Sequence, residues 1–177
     1  SNSPELDEYR LGLLAYTRDG KNIYFENLNE AVTEEMTIRF ARSLLNNSIF
    51  EKELRQTKEI IEKHQSAVTY SGKPLFDEDT FYAEIKNKKN WGNAAGRLRG
   101  YLFGGRIEIF TEAFTYKEER KILNILINKI FFKNSKKFKD REEIFEIFAK
   151  GMMTGDILSL GRLIESTFGK GTFRKIG

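Results

Sequence analysis

Hydrophobic and polar positions along this chain alternate over short runs near its start and recur at helical spacing further on. The segments LGLLAYT and NIYFENL, within Leu11 to Leu28, flank Arg18-Asp19-Gly20-Lys21. Asp-Gly suits a type I′ turn, so this stretch predicts a β-hairpin. A helix should open at Thr33, with Glu34 and Glu35 in its first turn; Met36, Phe40 and Leu44 with Ala41 and Leu45 form one apolar stripe that closes near Asn46-Asn47. Ser48 and Glu51 read as a capping box for a second helix, whose packing seam is Phe50, Leu54, Thr57, Ile61, His64 and Val68. Tyr70 to Pro74 breaks that helix. Asp77 as cap, with Phe76 and Phe81 as a hydrophobic staple, predicts a third helix running to about Lys88.

Trp91, Ala95, Leu98 and Leu102 then follow at spacings of four, three and four, which predicts a helix stopped by Gly104-Gly105. Arg106 to Thr111 alternates like a short strand. Thr115 and Glu118 box the start of a largely buried helix to Phe132, and Lys133 to Lys139 is a basic linker. Asp140 and Glu143 cap the next helix. A last helix runs from about Asp156 to Phe168 with Ile157, Leu160, Leu163 and Ile164 inward, and ends at Gly169 before a basic tail, Lys170 to Lys175. The expected architecture is α+β and predominantly α: an N-terminal β-hairpin, five or six helices and one short central strand.

With 177 residues, 40% of them hydrophobic and 15 of them Phe, one domain with a real core is expected over 1–177. Ser1-Asn2 lacks an initiator Met and is set aside from fold reasoning. The absence of cysteine removes disulfides, thiolate metal sites and cysteine nucleophiles, and fits a reducing, cytoplasmic setting. The longest apolar run, Ile122 to Phe132, is interrupted by Asn and Lys and is shorter than the roughly 18 residues of a spanning helix, so no membrane partner is expected.

The formal charge of +4 conceals a division. Ten basic and 16 acidic residues lie through Ile85, against 20 basic and 10 acidic from Lys86 onward, which gives −6 and +10. The stretch 1–85 therefore reads as an acidic scaffold half and 86–177 as a basic binding half, because a clustered positive field attracts polyanions. Within Lys86 to Arg106, six Lys/Arg and no acidic residue accompany Gly92, Gly96, Gly100 and Gly104 at strict four-residue spacing. In a helix each interior glycine costs about 1 kcal/mol against alanine, so such a ridge implies close approach to its backbone. Either a sugar-phosphate backbone or another helix of the same protein could make that approach.

The leading expectation is a non-catalytic nucleic-acid-binding protein, DNA or RNA. Lys86, Lys88, Lys89, Asn93, Arg97, Arg99 and Arg106 would contact it, with Lys133, Lys136, Lys137 and Lys139 of the linker; Gly92, Gly96 and Gly100 would permit close approach. The alternative is a regulator or inhibitor whose basic face docks an acidic protein surface. A helix-turn-helix fits poorly, since only about Lys89-Asn90 remain for the turn. His64, the single histidine, lies on an apolar seam and reads as structural. A minor alternative is a metal-dependent nuclease using Asp77 or Asp79 with Glu84 and Lys86, although in the predicted helix Glu84 and Lys86 point to different sides. Gly169-Lys170-Gly171 lacks the spacing of a phosphate loop. No catalytic residue, metal ligand or cofactor is assigned.

Overall fold

The computed structural model describes residues 10–17, 21–45, 47–69, 71–86, 98–102 and 105–177. The described elements are β1 (Arg10–Leu11), β2 (Leu14–Tyr16), β3 (Ile23–Tyr24), α1 (Glu26–Leu44), α2 (Glu51–Lys63), β4 (Val68–Thr69), β5 (Thr80–Lys86), β6 (Leu98–Leu102), β7 (Gly105–Ala113), α3 (Lys117–Lys133), α4 (Arg141–Thr154), α5 (Ile157–Phe168) and α6 (Thr172–Ile176). The fold is predominantly α with small antiparallel sheets, as the hydrophobic periods imply. The chain divides into two compact units, one formed by residues 1–37 with 116–177 and the other by 38–115.

In the first unit the expected hairpin is present: β2 pairs with β3 through Ala15↔Tyr24 and Tyr16↔Ile23, and β1 adds a third antiparallel strand. Its second arm is shorter than expected. Glu26 to Leu28 already belong to α1, which starts well before Thr33 because Leu28, Ala31 and Val32 at helical spacing are buried. Phe40 and Leu45, placed on the apolar stripe by sequence, are exposed. Asn29 Oδ1 accepts from the Leu13 N–H (3.0 Å) and ties the strands to α1.

The core of this unit gathers Leu13, Phe25, Leu28 and Val32 from the chain's start with Leu123, Ile127 and Ile130 of α3, Ile144 and Phe148 of α4, and Leu160 and Ile164 of α5. Two helix starts form as their sequences dictate. Asp140 accepts from the Glu143 N–H (3.1 Å) while Glu143 Oε2 accepts from the Lys139 N–H (2.7 Å), and Asp156 accepts from the Ser159 N–H (3.2 Å). The start of α3 does not form as predicted. Tyr116, in the left-handed region at φ 53°, takes the cap position in place of a Thr115–Glu118 box. Beside Tyr116, the carboxylate of Glu30 accepts a hydrogen bond from the phenol, and its negative charge pushes the phenol up from its ordinary value. Nor is α3 largely buried, since Ile122, Ile125 and Phe132 face outward. The basic tail forms α6, where Phe173 stacks on Phe25 with ring centroids 4.6 Å apart.

The second unit holds a four-stranded antiparallel sheet in the order β4-β6-β7-β5, with α2 against β5. The third helix predicted from Asp77 is not formed. Its residues make β5, because Thr80, Phe81, Tyr82 and Ile85 favour a pleated surface and pair along β7 from Thr80↔Ala113 to Lys86↔Glu108. Asp77 instead closes a turn, its Oδ1 accepting from the Asp79 N–H (3.0 Å) and the Thr80 hydroxyl (3.3 Å). The helix predicted from Trp91 to Gly104 is likewise overturned over its second half, where 98–102 form β6. The strand expected over Arg106–Thr111 is present and extends to nine residues. Ser48–Phe50 form a 3-10 turn capped by Asn47, in place of a Ser48–Glu51 box. Ile60, Ala67, Leu75, Ala83 and Ile109 form the core, and Thr57 Oγ1 accepts from the Ala83 N–H of the edge strand (3.4 Å). His64 is buried as a seam residue, yet its Nε2 has no hydrogen-bond partner among the described residues.

Two stability predictions follow from packing. A Cβ at Gly161 would lie 2.9 Å from the Phe173 ring, which is stacked with Phe25. Crowding of about 1–3 kcal/mol should exceed the helix-propensity gain of about 1 kcal/mol, so Gly161→Ala should lower the denaturant midpoint. In a Phe173→Ala background the same change should stabilise; a gain in the wild-type background would show that the ring moves aside. The Thr111 hydroxyl, on a residue only 2% exposed, also lacks a partner among the described residues. Thr111→Val should be neutral or raise stability by about 1 kcal/mol in urea unfolding, and a clear loss would reveal a partner for the hydroxyl.

Candidate functional site

Basic side chains from three parts of the chain converge in the first unit. A cleft of about 450 Å³ is lined by Lys137 and Phe138 of the linker, Lys150 of α4 and Arg162 of α5, with Ser159 and Ser166 at its sides. The linker turns tightly after α3, where Asn134 O accepts from the Lys137 N–H (2.8 Å), and this places Lys137 and Phe138 over the seam between α4 and α5. Lys137 Nζ lies 5.3 Å from the Phe138 ring centroid, a cation–π contact. Ile147 and Leu163 supply apolar lining.

One carboxylate enters this cleft. Asp156 Oδ2 accepts from the Ser159 hydroxyl (2.6 Å) and Oδ1 from its N–H. These two bonds, with lesser contributions from the charges of Lys150 and Arg162, hold the Asp156 carboxyl below its ordinary value. The Ser159 hydroxyl is committed to Asp156, and the Ser166 hydroxyl donates to the Leu163 carbonyl (2.9 Å). Three cations and one capped carboxylate remain, which suits an anion bound mainly by charge.

The other linker lysines do different work. Lys133 sits at the end of α5, with Nζ 3.4 Å from the Thr167 carbonyl and 5.0 Å from the Phe168 ring. Lys139 contributes its backbone N–H to Glu143, and Lys136 is exposed outside the cleft lining. Sequence reasoning missed Lys150 and Arg162. They belong to no basic run, and their signal was positional: each lies on a helix next to the linker, on a face that only the α4–α5 pairing brings under it.

The other predicted contacts fall in the second unit. Lys86 ends β5, its backbone paired with Glu108; Arg99 and Gly100 of β6 pair with Phe110 and Ile109, and Arg106 follows the first residue of β7. The close-approach role of Gly100 on a helical ridge is therefore overturned: it occupies a strand position, hydrogen-bonded between β4 and β7. Lys88, Lys89, Asn93, Arg97, Gly92 and Gly96 lie outside the described residues.

This unit also contains a groove of about 740 Å³ between the end of α1, the start of α2 and β5 with β7. Its walls include Leu44, Phe50, Leu54, Phe81, Phe110 and Phe114, with Phe81 and Phe114 in ring contact at 4.5 Å. Glu53, Glu78, Asp79, Glu84 and Glu112 enter it against one cation, Arg42, the wrong sign for a phosphate. Asp79 and Glu84 share this groove and Glu84 lies on a strand, not a helix. Among the described residues no group of three or more His, Cys, Asp or Glu is placed to hold a metal ion. No described helix is long and apolar enough to cross a membrane.

No protein family, no curated protein and no solved structure matches this chain.

The Asp156 cap gives a pH prediction. A carboxyl held below its ordinary value of about 3.9 contributes stability above that value and loses it as pH falls through the lower, folded value. Asp156→Ala should lower the thermal midpoint at neutral pH, and the gap to wild type should narrow on acidification below about pH 4. A gap independent of pH would show that the carboxylate charge is irrelevant to the cap.

Proposed function

We propose that this protein binds nucleic acid without catalysing a reaction on it, through charge-driven contacts to phosphates. The observation that carries this reading is the convergence of Lys137, Lys150 and Arg162 beside Phe138 on one cleft of the first unit. Guanidinium and ammonium groups set beside an aromatic ring match a strand whose phosphates carry the charge and whose bases or sugars meet the apolar surface. The acid-free stretch from Lys86 to Arg106 adds basic residues to the chain's total, and the Lys170, Arg174 and Lys175 tail belongs to the same unit as the cleft. Phosphate contact by salt-sensitive charge needs no base-specific geometry, which fits a cleft whose serine hydroxyls already donate within the protein.

The experiment is fluorescence anisotropy of labelled random duplex DNA, single-stranded DNA and RNA at roughly 50 and 200 mM salt. Binding should weaken steeply at the higher salt. Lys150→Glu with Arg162→Glu should reduce affinity at least about tenfold with an unchanged circular dichroism spectrum, because each reversal replaces an attraction with a repulsion. Loss of binding in Arg97→Glu with Arg99→Glu alone would move the contact surface to the glycine-rich stretch. Absence of binding to all three probes at 50 mM would overturn the reading.

A further inference from the structure

We propose that the outward face of α3 is a docking surface for an acidic amphipathic helix of a partner protein. This goes beyond nucleic-acid binding and rests on different residues. Helix α3 satisfies its own unit with Leu123, Ile127 and Ile130, which are 1%, 4% and 0% exposed. Yet Ile122, Ile125 and Phe132 are 65%, 53% and 78% exposed on another face of the same helix. With Lys129 they fall at spacings of three, four and three, the pattern of a helix-pairing seam, over about 15 Å of helix. Three large apolar side chains repeated in a line differ from the scattered exposed leucines of any surface.

The charges on this face select the occupant. A second copy of the chain packed in parallel would set Lys129 against Lys129 of the second copy. Packed antiparallel about residue 127, Ile122 would meet Phe132 of the second copy and Lys129 would be set against Ile125 of the second copy. In neither arrangement does an acid answer Lys129. The one acid on the face, Glu118, is already bridged by Lys121 at 2.8 Å. A helix with apolar residues at its own seam positions and Glu opposite Lys129 would cover the three side chains and answer the charge, and a lysine inside a seam fixes such a register.

The test uses two labelled synthetic peptides with Leu at the seam positions, one carrying Glu at every flanking position and opposite Lys129, the other carrying Lys there. Wild-type protein should bind the acidic peptide and not the basic one. Ile125→Glu with Phe132→Glu, both on the solvent side of the helix, should weaken that binding at least tenfold with an unchanged circular dichroism spectrum. Lys129→Glu should shift the preference toward the basic peptide, and Lys150→Glu with Arg162→Glu should leave it unaltered, which separates this surface from the phosphate cleft. Equal binding of both peptides, binding of neither, or light scattering showing a dimer that Ile125→Glu with Phe132→Glu dissociates would each overturn the proposal.

Discussion

The Phe25–Phe173 stack, seated on the bare backbone of Gly161, closes the first unit by joining the beginning of the chain to its end. Phe25 stands at the entrance to α1 and Phe173 in the last helix, so neither could be buried by its local neighbours. The core has the same character: Leu13, Phe25, Leu28, Ala31 and Val32 complete a cluster whose other buried members, from Leu123 to Ile164, belong to α3, α4 and α5. Such long-range packing must wait for the ends to meet, whereas the sheet core of the second unit draws Ile60, Ala67, Leu75, Ala83 and Ile109 from within the segment 38–115. The helix that receives Phe173 at Gly161 also presents the next residue, Arg162, to the basic cleft.

Charge is organised more finely than the division at residue 85 suggests. The first unit contains acidic residues of α1 and the basic residues of α3 to α6, so the boundary between compact units does not follow the boundary in charge. Within each unit, sign separates by cavity. Cations gather at the linker cleft, whereas carboxylates gather around the aromatic groove of the sheet unit. A net charge describes long-range attraction; the identity of a ligand is decided at the scale of one cavity, where a few groups set the local sign.

The legible parts of the fold were those in which a cap and an apolar period agreed. Asp140 with Glu143 and Asp156 with Gly169 bracket α4 and α5 as sequence alone implied, and Ile157, Leu160, Leu163 and Ile164 show why: local bonding and core burial demand the same conformation. Between Asp77 and Leu102 the two signals conflicted. Asp77 can cap a helix or close a turn before a strand, and Phe81 can staple a helix or face a sheet. Pairing with β7 decided the matter for both β5 and β6, and such pairing is invisible to any local period. Leu98, Gly100 and Leu102 also alternate, so the spacing that read as a glycine ridge is equally a strand.

The site was half legible for a related reason. A run of lysines identifies a stretch of positive charge, but the fold assigns each lysine separately. Lys133 meets the carbonyl end of a helix, where its charge complements the negative end of the helix dipole, and Lys139 is used through its backbone; Lys137 alone among the four linker lysines reaches the cleft. Its companions Lys150 and Arg162 stand alone in sequence and become a cluster only because α4 and α5 pack side by side. Charge density along a chain therefore locates a field, while the convergence that gives a field a binding geometry is a property of helix packing.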